Sequence, residues 1–179
     1  MDIYYTQKQM IVRCDKKGNI IGQIEKWEAH RKGILHRAFT VLIVHKNKMV
    51  LQHRKHLAFD GVFDATISSH QIFKNGKLQT TEEAVYQTLT REWLLEKKDV
   101  TSYKNSGPVY YKARDPKSEF TEHEMCEIVT IKTKILPPPN FDFAYGYSLV
   151  TKDELLNKKS RTYSLLAPWV LKMIEEKKI

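Results

Sequence analysis

Three histidines and two glutamates are the residues of this chain whose types and spacing first suggest chemistry. His30 and His36 lie in "KWEAHRKGILH", His70 follows in "SSHQIF", and "EFTEHEMC" supplies Glu122 and Glu124. On a strand, residues two apart point to one face, so both carboxylates and the Cys126 thiol should look out from the same side of a sheet. Carboxylates side by side repel unless a shared proton, a basic neighbour or a bound cation offsets the charge. Three imidazoles and two carboxylates make a mixed nitrogen and oxygen donor set for a divalent ion such as Zn2+ or Mn2+. Taken singly, each is ordinary in a chain with seven histidines. Only the combination points to a metal site.

Positioning such a set requires strands first. "QMIVRCD" and "IIGQI" flank the turn "KKGN", and "RAFTVLIV" and "KMVLQHR" flank "HKNK", so two hairpins are expected early in the chain. From Thr80 to Glu96 the period changes. Val85, Leu89 and Trp93 recur every four residues, the stripe of an amphipathic helix. "VYYKAR" and "MCEIVTIKTKI" read as strands, "TKDELLNK" as a short helix capped by Thr151, and "LLAPWVLKMIEEKK" as a closing helix. The "PPP" at 137 to 139 reads as a loop within the fold and not as a domain linker. An α+β fold with a mixed sheet and packed helices follows.

At 179 residues, with 41% hydrophobic residues, the chain can bury one good core but hardly two, so a single domain over 1–179 is expected. Thirty Lys and Arg against 21 Asp and Glu leave a net charge of +9, which attracts anions such as phosphorylated small molecules. The lysines are scattered in short groups, as on a solvated surface, so no nucleic-acid partner is expected. Two cysteines, Cys14 and Cys126, are too few for a disulfide framework. The N-terminal "MDIYYTQKQM" has no apolar signal core and no apolar run reaches membrane-spanning length. "KDEL" at 152 to 155 is internal and carries no address there. These features together lead us to expect a cytoplasmic monomer without a membrane partner.

"EKWEAHRKGILHRAF", "GVFDATISSHQ", "VYYKARDP", "TEHEMC" and "APWV" occur in the order and at about the spacing of the motifs of type I isopentenyl diphosphate isomerases, members of the Nudix superfamily. The resemblance runs from about Asp15 to Trp169, and it implies a Nudix-like α/β/α sandwich. It implies that His30, His36, His70, Glu122 and Glu124 hold a divalent metal, and that Mg2+ accompanies the substrate diphosphate. It further implies proton transfer that interconverts isopentenyl and dimethylallyl diphosphate through a tertiary cation. Tyr111 and Glu124 would serve one face of the substrate, and Trp169 would shield the cation with its π face.

Ser68 stands where this family carries a cysteine that serves the opposite face. A thiol titrates near ~8.5 and is readily tuned lower, whereas a serine hydroxyl needs an adjacent base. No such base is evident in the sequence, so weakened isomerisation is expected. Diphosphate binding is implied for Lys26, four residues before the first histidine, and for Arg54; Lys55 or His56 would substitute for a second lysine that the family keeps.

"GKLQTTEEAVYQTLTREWLLEKKDV" departs from the Nudix box G-x5-E-x7-R-E-U-x-E-E-x-G-U, where U is aliphatic. It can be laid on the box in two ways, one ending on Glu96 and the other, which keeps the apolar stripe inward, ending on Glu92. Glu92 survives in both and is expected, with Lys26 and Arg54, to take part in substrate binding, since the glutamates of this box hold the Mg2+ that bridges a diphosphate. Three readings follow: an isomerase of a short prenyl diphosphate, a Nudix hydrolase cleaving a nucleoside or prenyl diphosphate, and a non-catalytic binder of a phosphorylated ligand. The five-residue ligand set and Trp169 favour the first, and the broken box weighs against the second.

Overall fold

The computed structural model describes residues 3–179. A short 3-10 turn (Ile3–Tyr5) leads into β1 (Met10–Cys14) and β2 (Ile20–Glu25), which form the first expected hairpin. Asp15 builds its turn by accepting from the Lys17 and Asn19 amides at 2.8 and 2.9 Å. Helix α1 (Lys26–Lys32) follows directly. Seven residues are too few for periodicity to reveal it, but its ends are well specified. The Glu25 carboxylate accepts from the Glu28 amide, and Gly33 terminates the helix in the left-handed region at φ +59°.

Strands β3 (His36–His45) and β4 (Lys48–Arg54) form the second hairpin. Then come β5 (Phe63–Asp64), β6 (Ile67–Ser69), the small ribbon of β7 (Phe73–Lys74) and β8 (Lys77–Leu78), and helix α2 (Thr81–Trp93). The long strands β9 (Val100–Arg114) and β10 (Thr121–Thr133) precede β11 (Ala144–Val150), α3 (Lys152–Leu156), α4 (Arg161–Ser164) and α5 (Pro168–Glu175).

The main sheet is mixed. β10 runs parallel to β3 and antiparallel to β9, while β4 pairs antiparallel with β3 and β11. Its two faces are covered by different helices. Ala84, Val85, Leu89 and Trp93 of α2 pack on Phe39, Val41, Ile43, Val129 and Ile131. On the other face, Trp169, Val170 and Met173 of α5 pack with Ala38, Leu42, Val109, Cys126 and Ile128. The result is the α/β/α sandwich. Full burial of Val85, Leu89 and Trp93 stabilises α2 by about 1.5–3 kcal/mol per side chain.

Two elements are shorter than periodicity predicts. α2 stops at Trp93 and not at Glu96, because Leu94 turns left-handed at φ +52° and Leu95 then enters the core. The closing helix begins only at Pro168, whose fixed φ and missing amide hydrogen suit the first helical turn. The internal "KDEL" lies on α3, capped by Thr151 as expected, with a reciprocal bond from the Thr151 amide to Glu154. No helix among the described residues is long and apolar enough to cross a membrane.

Candidate active site

Strand register assembles the site. In the parallel ladder Glu124 of β10 stands opposite His36 of β3, and in the antiparallel ladder it stands opposite Tyr111 of β9. Ser68 of β6 stands opposite Thr40 of β3. Glu122, Glu124 and Cys126 are all buried on one side of β10, as the period of two requires. Helix α1 adds Lys26 and His30, which share a buried face at a spacing of four.

The five expected ligands converge. Each of His30, His36, His70, Glu122 and Glu124 offers a donor atom, and those atoms lie within 4.8 Å of one another. His30 Nδ1 lies 2.6 Å from the Lys26 carbonyl and His36 Nδ1 lies 2.7 Å from the Ile34 carbonyl. A carbonyl only accepts, so both rings donate from Nδ1 and present the lone pair of Nε2 inward. His30 Nε2 then faces Glu122 Oε2 at 3.1 Å, and His36 Nε2 faces Glu124 Oε1 at 3.4 Å. Two acceptors confront each other in each pair. His36 Nε2 and Glu122 Oε2 have no hydrogen-bond partner although both are buried. A proton or a cation must stand between them, and this donor set fits a divalent ion.

Electrostatics follow from burial and pairing. Burial pulls His70 well below the usual histidine range, reinforced by His36 and His30. For His30 burial acts in the same direction, but the Glu122 carboxylate outweighs it and raises the group. Burial raises Glu124, and the hydrogen bonds and charge around it, His36 first, bring it below the usual carboxylate range. Tyr111 is held well above its ordinary range by burial and then by the Glu124 charge, so it remains protonated and donates to Glu124 Oε2.

Lys26, His30, Arg54, His56, Ser68, Ser69, His70, Tyr111, Glu122, Glu124 and Trp169 line one narrow, partly open cavity of about 20 Å³, room for about one water. Ten of the residues singled out in the sequence thus line a common space, and His36 faces Glu124 beside it, whereas Lys55, Glu92 and Glu96 do not line it. The Arg54 guanidinium lies 5.4 Å from the Trp169 ring centre and pairs with Asp64 at 3.1 Å. His56 takes a place on the wall, whereas Lys55 turns away and bonds the Phe141 carbonyl. Beside the cavity, and sharing Ser69 and His70 with it, lies an open groove of about 500 Å³ lined by Tyr4, Lys8, Lys74, Thr88 and Arg91 among others.

Two residues that sequence reasoning missed belong here. Tyr4 comes in from the N-terminal turn, receives a hydrogen bond from Lys26 Nζ at 3.3 Å, and lies under the Arg91 guanidinium at 3.9 Å. Asp64 corrects an expectation, since it is a carboxylate 3.0 Å from Ser68 Oγ where no adjacent base was anticipated. An aspartate inside the otherwise apolar "GVFDATI" was the available signal.

No family model matches the chain. Isopentenyl-diphosphate Delta-isomerase 1 of Mesocricetus auratus is 29% identical over 179 residues, covering 90% of this chain and 78% of that protein. The isopentenyl-diphosphate Delta-isomerase of Pectobacterium atrosepticum is 26% identical over 165 residues, covering 89% and 86%. Among solved structures, the Nudix domain of Shewanella oneidensis NrtR, complexed with ADP ribose, aligns with a TM-score of 0.51 at 12% identity, covering 80% of this chain and 85% of that one. A Deinococcus radiodurans protein aligns with a TM-score of 0.65 at 14% identity, covering 94% and 98%. The chain resembles isopentenyl-diphosphate Delta-isomerases in sequence and has the Nudix fold.

In this isomerase-like chain with the Nudix fold, the helix that corresponds to the Nudix box has a definite geometry. Laying the sequence on the apolar stripe puts Leu94 at the box glycine and Leu95 at the following aliphatic position; Leu94 has the left-handed φ and Leu95 is buried. Glu92 then ends the box. It does not line the metal-site cavity but lies buried between Arg91 at 2.7 Å and the Gln52 amide at 3.4 Å. Glu96 is exposed, and it pairs with Lys98 and starts a 3-10 turn.

Proposed function

We propose that this protein interconverts isopentenyl and dimethylallyl diphosphate by metal-dependent proton transfer. The observation that carries this reading is the convergence of three imidazoles and two carboxylates on a cavity that Tyr111 and Trp169 also line. His30, His36, His70, Glu122 and Glu124 would hold the ion, which when bound supplies the positive charge that keeps the two carboxylates ionised side by side. Tyr111 and Glu124, already joined by a hydrogen bond, hold a transferable proton between them at the substrate's double bond. Trp169 presents its ring where a carbocation needs a π face. Lys26 and Arg54, both buried on the cavity wall, would pair with the oxygens of the diphosphate, which Mg2+ would accompany. The substrate is a small diphosphate, as it is for the relatives.

The box glutamates give the hydrolase reading little support, because Glu92 is engaged by Arg91 and Gln52 and Glu96 is remote from the cavity. One incubation separates the two. With isopentenyl diphosphate and Mg2+ in deuterated water, isomerisation yields deuterated dimethylallyl diphosphate, and hydrolysis yields phosphate or pyrophosphate. The purified protein should also bind close to one equivalent of Zn2+ or Mn2+, and His70→Ala should lose it. Release of phosphate without isomerisation would sink the proposal.

A further inference from the structure

Asp64 is fully buried beside the cavity and is almost saturated with donors. Its Oδ1 accepts from the Ala65 amide at 2.7 Å, from Trp169 Nε1 at 2.7 Å and from Ser68 Oγ at 3.0 Å. Its Oδ2 accepts from Arg54 at 3.1 Å. An ionised carboxylate only accepts, so the Ser68 hydrogen points at Asp64. The lone pairs of Ser68 Oγ are left for Thr40 Oγ1 at 2.8 Å and for the cavity that Ser68 lines. Thr40 also reaches Cys126 Sγ at 3.3 Å, which closes this side of the network.

A structural account of Asp64 would stop at its pairing with Arg54 and its anchoring of Trp169. That account leaves Ser68 as a bystander, although, like Arg54 and Trp169, it is bonded to the carboxylate and lines the cavity, and of these three it alone is a hydroxyl. A hydroxyl hydrogen-bonded to a buried carboxylate is the arrangement by which a weak acid gains a base.

We propose that Ser68 and Asp64 act as one proton-transfer unit on the substrate face opposite Tyr111 and Glu124. The proposal rests on the isomerase reading above. In the direction where this unit is the base, a C–H bond of the tertiary cation breaks to Ser68 Oγ as the serine's own hydrogen moves to Asp64 Oδ1. The C–H electron pair becomes the new double bond and neutralises the cation. Ser68 ends as a neutral hydroxyl and never as an alkoxide, and Asp64 ends as the neutral acid. Run backwards, the same two transfers protonate the double bond. A diphosphate on Arg54 keeps that guanidinium paired while Asp64 is neutral. Burial, only partly countered by Arg54, raises Asp64 above the usual carboxylate range, which favours its holding a proton. Ser68 is thus the catalytic residue and Asp64 the group that acts through it.

The test is a double-mutant cycle on isopentenyl diphosphate with Mg2+ in deuterated water, using the full chain, Asp64→Asn, Ser68→Cys and the pair together. General acid and base groups contribute ~10²- to 10⁴-fold. Asp64→Asn should therefore lower kcat at least about thirtyfold, with KM changed little. In the Ser68→Cys background the same substitution should cost less than about threefold, because a thiol titrates near ~8.5 without help. Equal losses in the two backgrounds, or a loss carried by KM, would mean that Asp64 only supports Arg54 and Trp169, and the relay would fall. Metal content and Tm report whether Asp64→Asn is folded. If it is not, Ser68→Ala decides, since it leaves Asp64, Arg54 and Trp169 in place; a tenfold or greater loss of kcat supports the relay, and an unchanged kcat overturns it. Full-length protein that forms no deuterated product overturns the isomerase reading and the relay together. Active protein with an equally active Asp64→Asn overturns the relay alone.

Discussion

At the scale of single residues, chemistry here depends on which neighbour each side chain meets. His30 and His36 show this plainly, because a backbone carbonyl on Nδ1 decides that Nε2 faces inward as a lone pair. Tyr4 is a second case. Burial raises its phenol, but Lys26, Arg91 and the Ser69 hydroxyl outweigh burial and bring it down from 10.0 to about 8. The folded state therefore releases this proton before the unfolded chain does. Its contribution to stability is fully present above about pH 10 and is lost as pH falls through about 8. A phenolate-absorbance titration should show one tyrosine with a midpoint near 8, and Tyr4→Phe should remove that step. A titration in which every tyrosine ionises near 10 or above would contradict the environment described for Tyr4.

At the scale of elements, helix α2 shows how much a sequence can specify locally. Thr80 and Glu83 form a reciprocal capping box at its start, and the stripe of Val85, Leu89 and Trp93 faces the sheet as their spacing predicts. Its end was less legible, because the apolar residues of "WLLEKK" give no punctuation and only the backbone shows Leu94 to be left-handed. A β-carbon in that conformation is disfavoured by about 1–2 kcal/mol, part of which glycine's greater unfolded-state freedom takes back. Leu94 is largely exposed, so Leu94→Gly loses little packing. It should raise stability by roughly 0.5–1 kcal/mol in denaturant unfolding. Destabilisation would mean that the Leu94 side chain has an unrecognised contact. Helix α1 was missed for a different reason: it is too short to show a period, although it carries Lys26 and His30.

At the scale of the whole molecule, the parts that were legible are those whose cause is local or periodic: two hairpins, α2, the capped α3, and the shared face of Glu122 and Glu124. The five-ligand set was legible through its resemblance to a family pattern, while its closure depends on the parallel register of β3 and β10. That register joins residues nearly ninety apart in sequence, and no local rule reaches so far. The partners of Asp64 and Tyr4 were illegible on the same ground, since the Ser68 contact depends on the path from β5 to β6 and Tyr4 reaches Lys26 only when the N-terminal turn docks. The net charge of +9 acts on this larger scale as well, favouring the approach of an anionic substrate without determining which one binds.

The serine at position 68 and the depth of the two thiols together bear on how the protein meets electrophiles and oxidants. Cys14 is 2% exposed, with its thiol raised by burial to about 11, and Cys126 is 0% exposed, with burial holding its thiol well above the usual range. Thiolate is the reactive form in alkylation and in oxidation to sulfenic acid, so neither cysteine offers a ready target in the folded protein. With Ser68 on its wall where a cysteine would stand, the cavity offers no thiol to cap or overoxidise. Iodoacetamide or dilute peroxide at neutral pH should leave the isomerisation rate of the folded protein unchanged, and Ser68→Cys should make that rate sensitive to both. Rapid inactivation of the unsubstituted protein by either reagent would show a reactive thiol where the structure has none, and would remove this expectation.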